Sequence, residues 1–372
     1  MTFYEYCQDD LELELKEFFK KGNKKILFGA GNQARVMSDC SKMFGINIDA
    51  LMTSKECVVE EKFIDKIPCY TIKSLPKDLC ENADVLIAVN EKNNSIIEKM
   101  LLDNGFVGRI YKSNNWNKTN KLLRTRYFDY IMEKHNIKVD KAIVDINGMR
   151  FFDYTQLDNM YQNSMLSEIV DLVYPILGEY DSCVEGSYEN GRVIVEEGDV
   201  VIDAGANVGL FSAYASSKGA IVYSFEPNKE VAKILRKVSE LNNGFQIIDK
   251  ALSDKKGIGL LGYNQSASTM GRIIEMNNSQ NEIIQEIAIT SIDELVENNV
   301  IEKVDFIKAD IEGSERDMLR GAKETLKKFG PKISICTYHL PDDREVLTKI
   351  ILDANNEYKI EYGEHKLYAY IP

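Results

Sequence analysis

The sequence predicts an α/β protein with two Rossmann-like domains, the second a doubly wound parallel sheet. Three observations carry this. β-type runs alternate with helical runs along both halves of the chain; two of those runs, KKILFGAG and VVIDAGANVG, end in glycine turns that open helices; and a polar, asparagine-rich stretch, KSNNWNKTNK, separates the halves. The 372 residues leave room for two or three domains, and 44% apolar content suffices for sizeable cores.

Residues 9–20 are expected to form a helix, because Leu11, Leu15, Phe18 and Phe19 recur at helical spacing. KKILFGAGNQARVMSDCSKMFG then has the pattern of strand, glycine turn and helix. NIDALMT and ADVLIAVN supply further strands, ahead of a helix over 95–104. This layer is expected to end near Arg109–Ile110, which makes residues 1–115 the first domain. A helical linker, 116–145, holds an amphipathic stretch over 122–134, and Asn147-Gly148 between two β-type runs predicts a tight hairpin opening the second domain, 146–372. From there the pattern alternates through GDVVIDAG, VGLFSAYASS, AIVYSFEP, NKEVAKILRKVSELN, FQIIDKAL, VDFIKADI, SERDMLRGAKETLKK, PKISICTYH and DREVLTKIILDAN. EYKIEYGEHKLYAYIP closes the sheet as an antiparallel pair around Gly363, whereas residues 255–289 suit an irregular polar insertion over the strand ends.

Charge and residue usage narrow the function. A formal net charge of −13 repels phosphate backbones and anionic lipid surfaces, which argues against a general nucleic-acid binder. No stretch approaches the roughly 18 apolar residues of a membrane helix, and the opening MTFYEYCQDDLELELKEFFKK is acidic where a signal peptide would be basic. The expectation is a soluble, cytoplasmic protein. Its 7 cysteines (Cys7, Cys40, Cys57, Cys69, Cys80, Cys183, Cys336) include no close C-x-x-C pair, so reduced structural thiols are expected. Three histidines, His135, His339 and His365, argue against a histidine-rich metal centre.

The strongest chemical signal is VVIDAGANVGLFS, residues 200–212, where a buried strand ends at Asp203 and Gly205 and Gly209 flank Asn207 before a helix. Glycine there permits φ > 0 and lets a ligand approach the main chain, while a carboxylate at the strand end can meet a positive group. Glu226 ends the next strand, 23 residues after Asp203, where a carboxylate can accept both hydroxyls of a ribose. Together they suggest a nucleoside ligand; a tight turn without a ligand is the alternative. FGAGNQA, residues 28–34, is a weaker nucleotide signal. Asp49 follows Gly29 at the right distance for a ribose carboxylate but lies inside NIDALMT, and the strand end carries Thr53 and Ser54.

At the residues just named, the sequence resembles the FkbM-type S-adenosylmethionine-dependent methyltransferases, which have the class I seven-stranded fold. The likeness spans roughly residues 145–372. It rests on DAGANVGLFS, FEPN, KALSD and, most specifically, VDFIKADIEGSERDMLRGA with a following Tyr338-His339. It implies S-adenosylmethionine as cofactor, with Asp203, Gly205, Ala206, Asn207 and Gly209 around its methionine part and Glu226 on its ribose. The segment 249–253, with Asp249 and Ala251, is then expected near adenine, and Tyr188 and Glu189 resemble a further family element. Asn207 stands where the dinucleotide fingerprint has its middle glycine, which weakens a nicotinamide reading. The first domain, through KKILFGAGNQARVMSD, IPCYTIKSL and ADVLIAVN, resembles the nucleotide-sugar-binding domain of PglD-like sugar acyltransferases. That likeness implies a domain that holds the nucleotide of an activated sugar, or one that only orients a partner.

Apart from any family, alternation at the end of VDFIKADI is expected to bring Lys308, Asp310 and Glu312 to one face. Strand ends in open α/β sheets bind ligands, so this is a candidate catalytic cluster; a solvated salt-bridge cluster is the other reading. Glu315 and Arg316 are assigned to the first turn of the next helix. His339 projects from a strand's carboxyl end beside Asp310, where it fits a general base or a structural histidine. A divalent metal on Asp310, Glu312 and His339 is chemically feasible, but the sequence assigns none. The two resemblances together imply, as the expected activity, O-methylation of a sugar hydroxyl on a surface glycan or its nucleotide-linked precursor. Methylation of a polyketide or peptide natural product, a non-catalytic nucleotide-binding scaffold and a nicotinamide oxidoreductase built on the first domain are the alternatives. The expected partner is a sugar or sugar-nucleotide acceptor, with no nucleic acid and no membrane span, and homo-oligomerisation stays open.

Overall fold

Runs such as ILF, VLI and VVI carry too many consecutive apolar residues for a half-solvated sheet, and each becomes a strand buried on both faces of a parallel layer. The computed structural model describes residues 12–29, 32–54, 63–64, 67–115, 119, 133, 137–140, 143–146, 148–152, 187–264, 267–274, 283–363 and 365–372. The chain separates into two units, residues 1–135 with 181–183, and residues 136–180 with 184–372.

In the first unit a helix at Leu13–Phe18 precedes β1 (Lys24–Phe28), β2 (Ala50–Thr53), β3 (Phe63–Ile64), β4 (Ile67–Thr71), β5 (Ala83–Ile87) and β6 (Ile110–Lys112). Their order is β3-β4-β2-β1-β5-β6, parallel except for the β3–β4 pair. Ile26, Phe28, Met52, Val85, Ile87 and Leu101 form the core. The layer runs past Arg109–Ile110, where it was expected to end, because Tyr111 is buried and pairs with Leu86. Asp49 accepts the Lys25 N–H at 2.8 Å, on the edge where the strands begin. It therefore lies at the end of the sheet opposite the glycine turn. Ala30 and Gly31 of that turn, and the helix expected over 122–134 apart from Glu133, lie outside the described residues.

The second unit opens with an antiparallel meander of β7 (Lys138–Asp140), β8 (Ile143–Ile146) and β9 (Met149–Phe152), of which β7 was not anticipated. Ile146 pairs with Met149, and Gly148 has φ +90°, as a two-residue connection requires; Asn147 lies outside the described residues. The later strands are β10 (Val200–Ala204), β11 (Ile221–Phe225), β12 (Gln246–Ile248), β13 (Lys250–Leu252), β14 (Gly257–Asn264), β15 (Ala267–Ile274), β16 (Ile283–Thr290), β17 (Phe306–Ala309), β18 (Lys332–Cys336), β19 (Lys359–Tyr362) and β20 (Lys366–Tyr370). Seven of them form one sheet in the order β12-β11-β10-β17-β18-β20-β19, with antiparallel pairing only at β18–β20 and β19–β20.

On one face Ile202, Ala204, Ile307, Ala309, Ile333 and Ile335 pack against helices Ile292–Glu297, Glu315–Arg320, Lys323–Phe329 and Asp343–Ala354 through Ile292, Met318, Leu326 and Leu347. On the other face Phe306 meets Phe211 of helix Leu210–Ser217, with ring centroids 5.8 Å apart. Helices on both faces make the sheet doubly wound, as expected. The segment 255–289 departs from its expected irregularity. β14, β15 and β16 join β13 in a separate four-stranded sheet, closed over Ala251, Leu261 and Ile287. Glycines and polar residues interrupt the period of 2 in these strands, which hid them from a hydrophobic pattern.

Candidate active site

Strand register sets the site. Ser224, Asp203, Lys308 and Ser334 lie side by side across β11, β10, β17 and β18, a polar row on the same face as Phe211. Asp203 is fully buried; its Oδ1 lies 3.0 Å from Lys308 Nζ, and its Oδ2 accepts the Ser212 hydroxyl at 2.5 Å. Lys308 Nζ also donates to the Gly205 carbonyl at 2.8 Å. Burial would lower the Lys308 pKa, but the Asp203 and Asp310 carboxylates outweigh it and hold the ammonium charged. Asp203 is thus a brace beneath the turn, with its carboxylate committed to Lys308 and Ser212.

The turn itself runs over Gly205–Gly209. The two glycines have φ +73° and +91°; a Cβ at Gly205 would stand 1.9 Å from the Asp310 carbonyl oxygen, and one at Gly209 would stand 2.6 Å from Leu235. The close approach that glycine permits here is to the protein's own chain. Gly205 and Ala206 donate their N–H groups to the Phe225 carbonyl, which stitches the turn to the end of β11. Asn207, at φ +51°, donates its N–H to Glu226 Oε2 at 3.0 Å, and Asn228 donates to Glu226 Oε1 at 2.8 Å. Burial pushes the Glu226 carboxyl up to about 7 against those two N–H groups. The Asn207 Oδ1 is buried and has no donor among the described residues.

Of the other side chains expected at a cofactor, Asp249 follows β12 directly beside Glu226, whose N–H donates to the Ile248 carbonyl at 3.3 Å. Glu189 accepts the Val195 N–H at 2.6 Å, Lys218 Nζ at 2.8 Å and the Tyr214 hydroxyl at 2.6 Å. Asp249 is paired with Arg236, and Ala251 belongs to the small core under β14 and β16.

Extended alternation was expected to carry Lys308, Asp310 and Glu312 to one face, but it stops at Ala309. Glu312 adopts φ +54° and Gly313 φ +99°, so the chain turns sharply after β17. Lys308 stays in the sheet's polar row, while Asp310 and Glu312 reach His339 at the end of β18. His339 Nε2 lies 3.6 Å from Asp310 Oδ1 and 3.5 Å from Glu312 Oε2, and its Nδ1 lies 3.0 Å from Glu315 Oε1. Asp310 also accepts the hydroxyls of Tyr188, at 2.7 Å, and Tyr338, at 3.3 Å. Burial would raise its pKa, yet Lys308, the Tyr188 hydroxyl, Lys366 and His339 together hold it below the usual carboxylate range. Burial likewise disfavours the charged form of His339, but Glu315, Asp310 and Glu312 outweigh it and push the imidazole up to about 9. At neutral pH the ring therefore already carries its proton.

Residues 203–360 match the family model of the methyltransferase FkbM domain. A hexuronic acid methyltransferase, AglP of Haloferax volcanii, is 28% identical over 159 residues, which is 43% of this chain. The match spans 64% of that relative's length, a little under two thirds. Among solved structures, methyltransferase FkbM from Methylobacillus flagellatus aligns over 99% of this chain and 98% of its own, with 16% identity and a TM-score of 0.42. Fibrillarin from Aeropyrum pernix aligns over 48% of this chain and 68% of its own, with 13% identity and a TM-score of 0.30.

The FkbM-matching segment holds both centres of the site: the turn with Glu226, and the cluster of Asp310, Glu312, Glu315 and His339. Sequence reasoning missed Glu315 as a site residue. It does begin a helix, as expected, but its buried carboxylate accepts the Ile311 and Gly313 N–H groups at 2.8 and 3.0 Å and faces His339. A carboxylate three residues after another in E-G-S-E was the available signal. Tyr188 was noted only for its family likeness. Lys308 Nζ and Lys366 Nζ both lie over its ring, 5.0 and 4.2 Å from the centroid, a placement no local pattern encodes.

Proposed function

We propose that this protein is an S-adenosylmethionine-dependent O-methyltransferase acting on a sugar hydroxyl of a surface glycan or its nucleotide-linked precursor. The observation that carries the reading is Glu226, whose two oxygens are aimed by the Asn207 and Asn228 N–H groups at the edge of the Gly205–Gly209 turn. A carboxylate has about four lone-pair sites, so both oxygens keep capacity for a pair of ribose hydroxyls. The buried Asn207 Oδ1, with no donor of its own, fits an ammonium or hydroxyl of such a ligand. In this reading Gly205, Ala206, Asn207 and Gly209 line the amino-acid end of the cofactor, Glu226 takes the ribose, and Lys308 and Asp203 keep the turn in place. When bound, S-adenosylmethionine supplies an electrophilic methyl group on a sulfonium sulfur, open to in-line attack by an oxygen.

The chain's own task is then to aim the acceptor hydroxyl and to relieve it of its proton. Asp310, Glu312 and His339 stand at the adjoining strand end, and Asp310 or the neutral form of His339 receives that proton. The sugar acceptor is supported by the hexuronic acid methyltransferase among the relatives. A first domain over residues 1–115, resembling nucleotide-sugar-binding domains, would hold the nucleotide of an activated sugar, and residues 146–372 would carry the transfer. A cytoplasmic location belongs to the same reading; among the described residues no helix is long and apolar enough to cross a membrane.

Calorimetric titration of the purified protein with S-adenosylmethionine and S-adenosylhomocysteine tests it. Micromolar binding, lost in Glu226→Ala and Asp203→Ala, supports the cofactor pocket; no binding to the wild type sinks the reading. His339→Ala is expected to lower turnover more than cofactor affinity, and unchanged turnover would remove His339 from the mechanism.

A further inference from the structure

We propose that Asp310, Glu315 and His339 bind one divalent cation at the carboxyl ends of β17 and β18. Each contributes a donor atom, and the three atoms lie within 4.8 Å of one another. Around one ion at metal–ligand distances of about 2.1 Å, opposed ligands stand about 4.2 Å apart, so only small side-chain adjustments separate this arrangement from a coordination sphere.

Carboxylates gathered at a turn do not by themselves make a metal site. The imidazole supplies the independent observation. The His339 side chain is only 8% exposed, and neither ring nitrogen has a partner in hydrogen-bonding geometry among the described residues. Three carboxylates nevertheless face it: Glu315 on the Nδ1 side, Asp310 and Glu312 on the Nε2 side. A buried polar ring left without directional bonds carries a desolvation cost that an ion bound to one of its nitrogens would reduce.

The two carboxylates are also supported from behind, as ligands in metal centres are. Tyr188 and Tyr338 hydroxyls donate to Asp310, and the Ile311 and Gly313 N–H groups donate to Glu315. Each carboxylate has about four lone-pair sites, so two donors apiece leave room for a metal bond. Glu312, at the rim, stands 3.5 Å from His339 Nε2 and is within reach as a further ligand. Two or three carboxylates with one imidazole suit a hard to borderline ion such as Mn²⁺ or Mg²⁺.

What the ion would do rests on the methyltransferase reading: it would take the acceptor hydroxyl as an additional ligand and raise its acidity. That the ion binds rests only on the three side chains, so the two ideas fail separately. The test uses the full chain, freed of metal by a chelator, with Mn²⁺ as the probe. Electron paramagnetic resonance titration is expected to count one Mn²⁺ per chain, and spin-echo modulation from a directly bound imidazole nitrogen is expected in the wild type. His339→Gln is expected to abolish that modulation and to weaken Mn²⁺ binding about tenfold or more. Absence of stoichiometric binding up to about 1 mM Mn²⁺ overturns the proposal, the weak limit of useful protein sites for divalent ions. Bound Mn²⁺ without nitrogen modulation also overturns it, as does modulation that survives in His339→Gln. The wild-type spectrum decides the matter if the variant does not fold. Calorimetry on the same samples separates the readings: cofactor binding without Mn²⁺ binding removes the ion site alone, and Mn²⁺ binding without cofactor binding removes the methyltransferase reading alone.

Discussion

Glu226 carries a carboxylate that burial resists charging and two backbone N–H groups aim, and that tension makes it a pH-dependent contact. Its pKa of about 7 lies above the ordinary value of 4.5, so the acceptor form needed by ribose hydroxyls fills in as pH rises through neutrality. Affinity for S-adenosylhomocysteine is therefore expected to strengthen from pH 6 to pH 8 in the wild type. In Glu226→Gln the increment due to this carboxyl disappears, and affinity at pH 8 falls about tenfold to a hundredfold, as loss of charge-assisted hydrogen bonds predicts. Calorimetry across pH measures both. Gly205 is constrained in a different way: at φ +73° an added methyl would meet the Asp310 carbonyl oxygen at 1.9 Å. Gly205→Ala is expected to cost about 1–3 kcal/mol in urea unfolding, and it also pushes on the backbone of Asp310.

At the scale of elements, the turn between β18 and helix Asp343–Ala354 decides where His339 points. Buried Asp343 holds that turn, accepting the Leu340 N–H at 2.8 Å and Arg316 Nε at 2.9 Å. Asp343→Ala leaves both donors without this acceptor, with an expected cost of about 1.5–3 kcal/mol. Because Glu226 and the glycine turn lie on other strands, turnover should fall while cofactor affinity holds; equal losses in both would show that the two centres are not separable. The sheet of β13–β16 is a second element with a positional role. Gln285 on β16 donates to the Pro227 carbonyl at 2.8 Å and accepts the Lys229 N–H, so this excursion supports the turn that carries Glu226 and Asn228.

For the whole molecule, the titrating groups predict how stability follows pH. His339 is raised from 6.5 to about 9, so its contribution is complete below about 6.5 and is lost as pH rises through 9. Glu226 is raised from 4.5 to about 7, so the stability linked to its proton is complete below about 4.5 and lost as pH rises through 7. Asp310, shifted below its ordinary range, acts in the opposite direction, adding stability that is lost on acidification. In chelator-treated protein the urea midpoint is expected to fall between pH 7 and pH 9.5, and to fall less in His339→Gln. A slope unchanged by that substitution would mean that the three carboxylates do not hold the ring's proton.

Much of this architecture is legible in the sequence. The alternation of apolar runs with helical periods announced the doubly wound sheet, and the glycine spacing in DAGANVG announced a strand-to-helix turn with positive φ. Such patterns are local: they depend on side-chain period and on what one backbone position tolerates, and a sequence carries both directly. The antiparallel strands β14–β16 escaped because glycine and polar residues blur a period of 2. The arrangement of the charged groups depended on neighbours far along the chain. Only the adjacency of β10 and β17 sets Lys308 against Asp203. Only the bend at Glu312–Gly313, set against the end of β18, brings Glu315 to His339. The sequence by itself determined the strands of the doubly wound sheet and the glycine turn after β10; the tertiary structure decided which charged groups meet, because that depends on strand order and register, across more than a hundred residues for Asp203 and Lys308 and across the β17–β18 pairing for the carboxylates around His339.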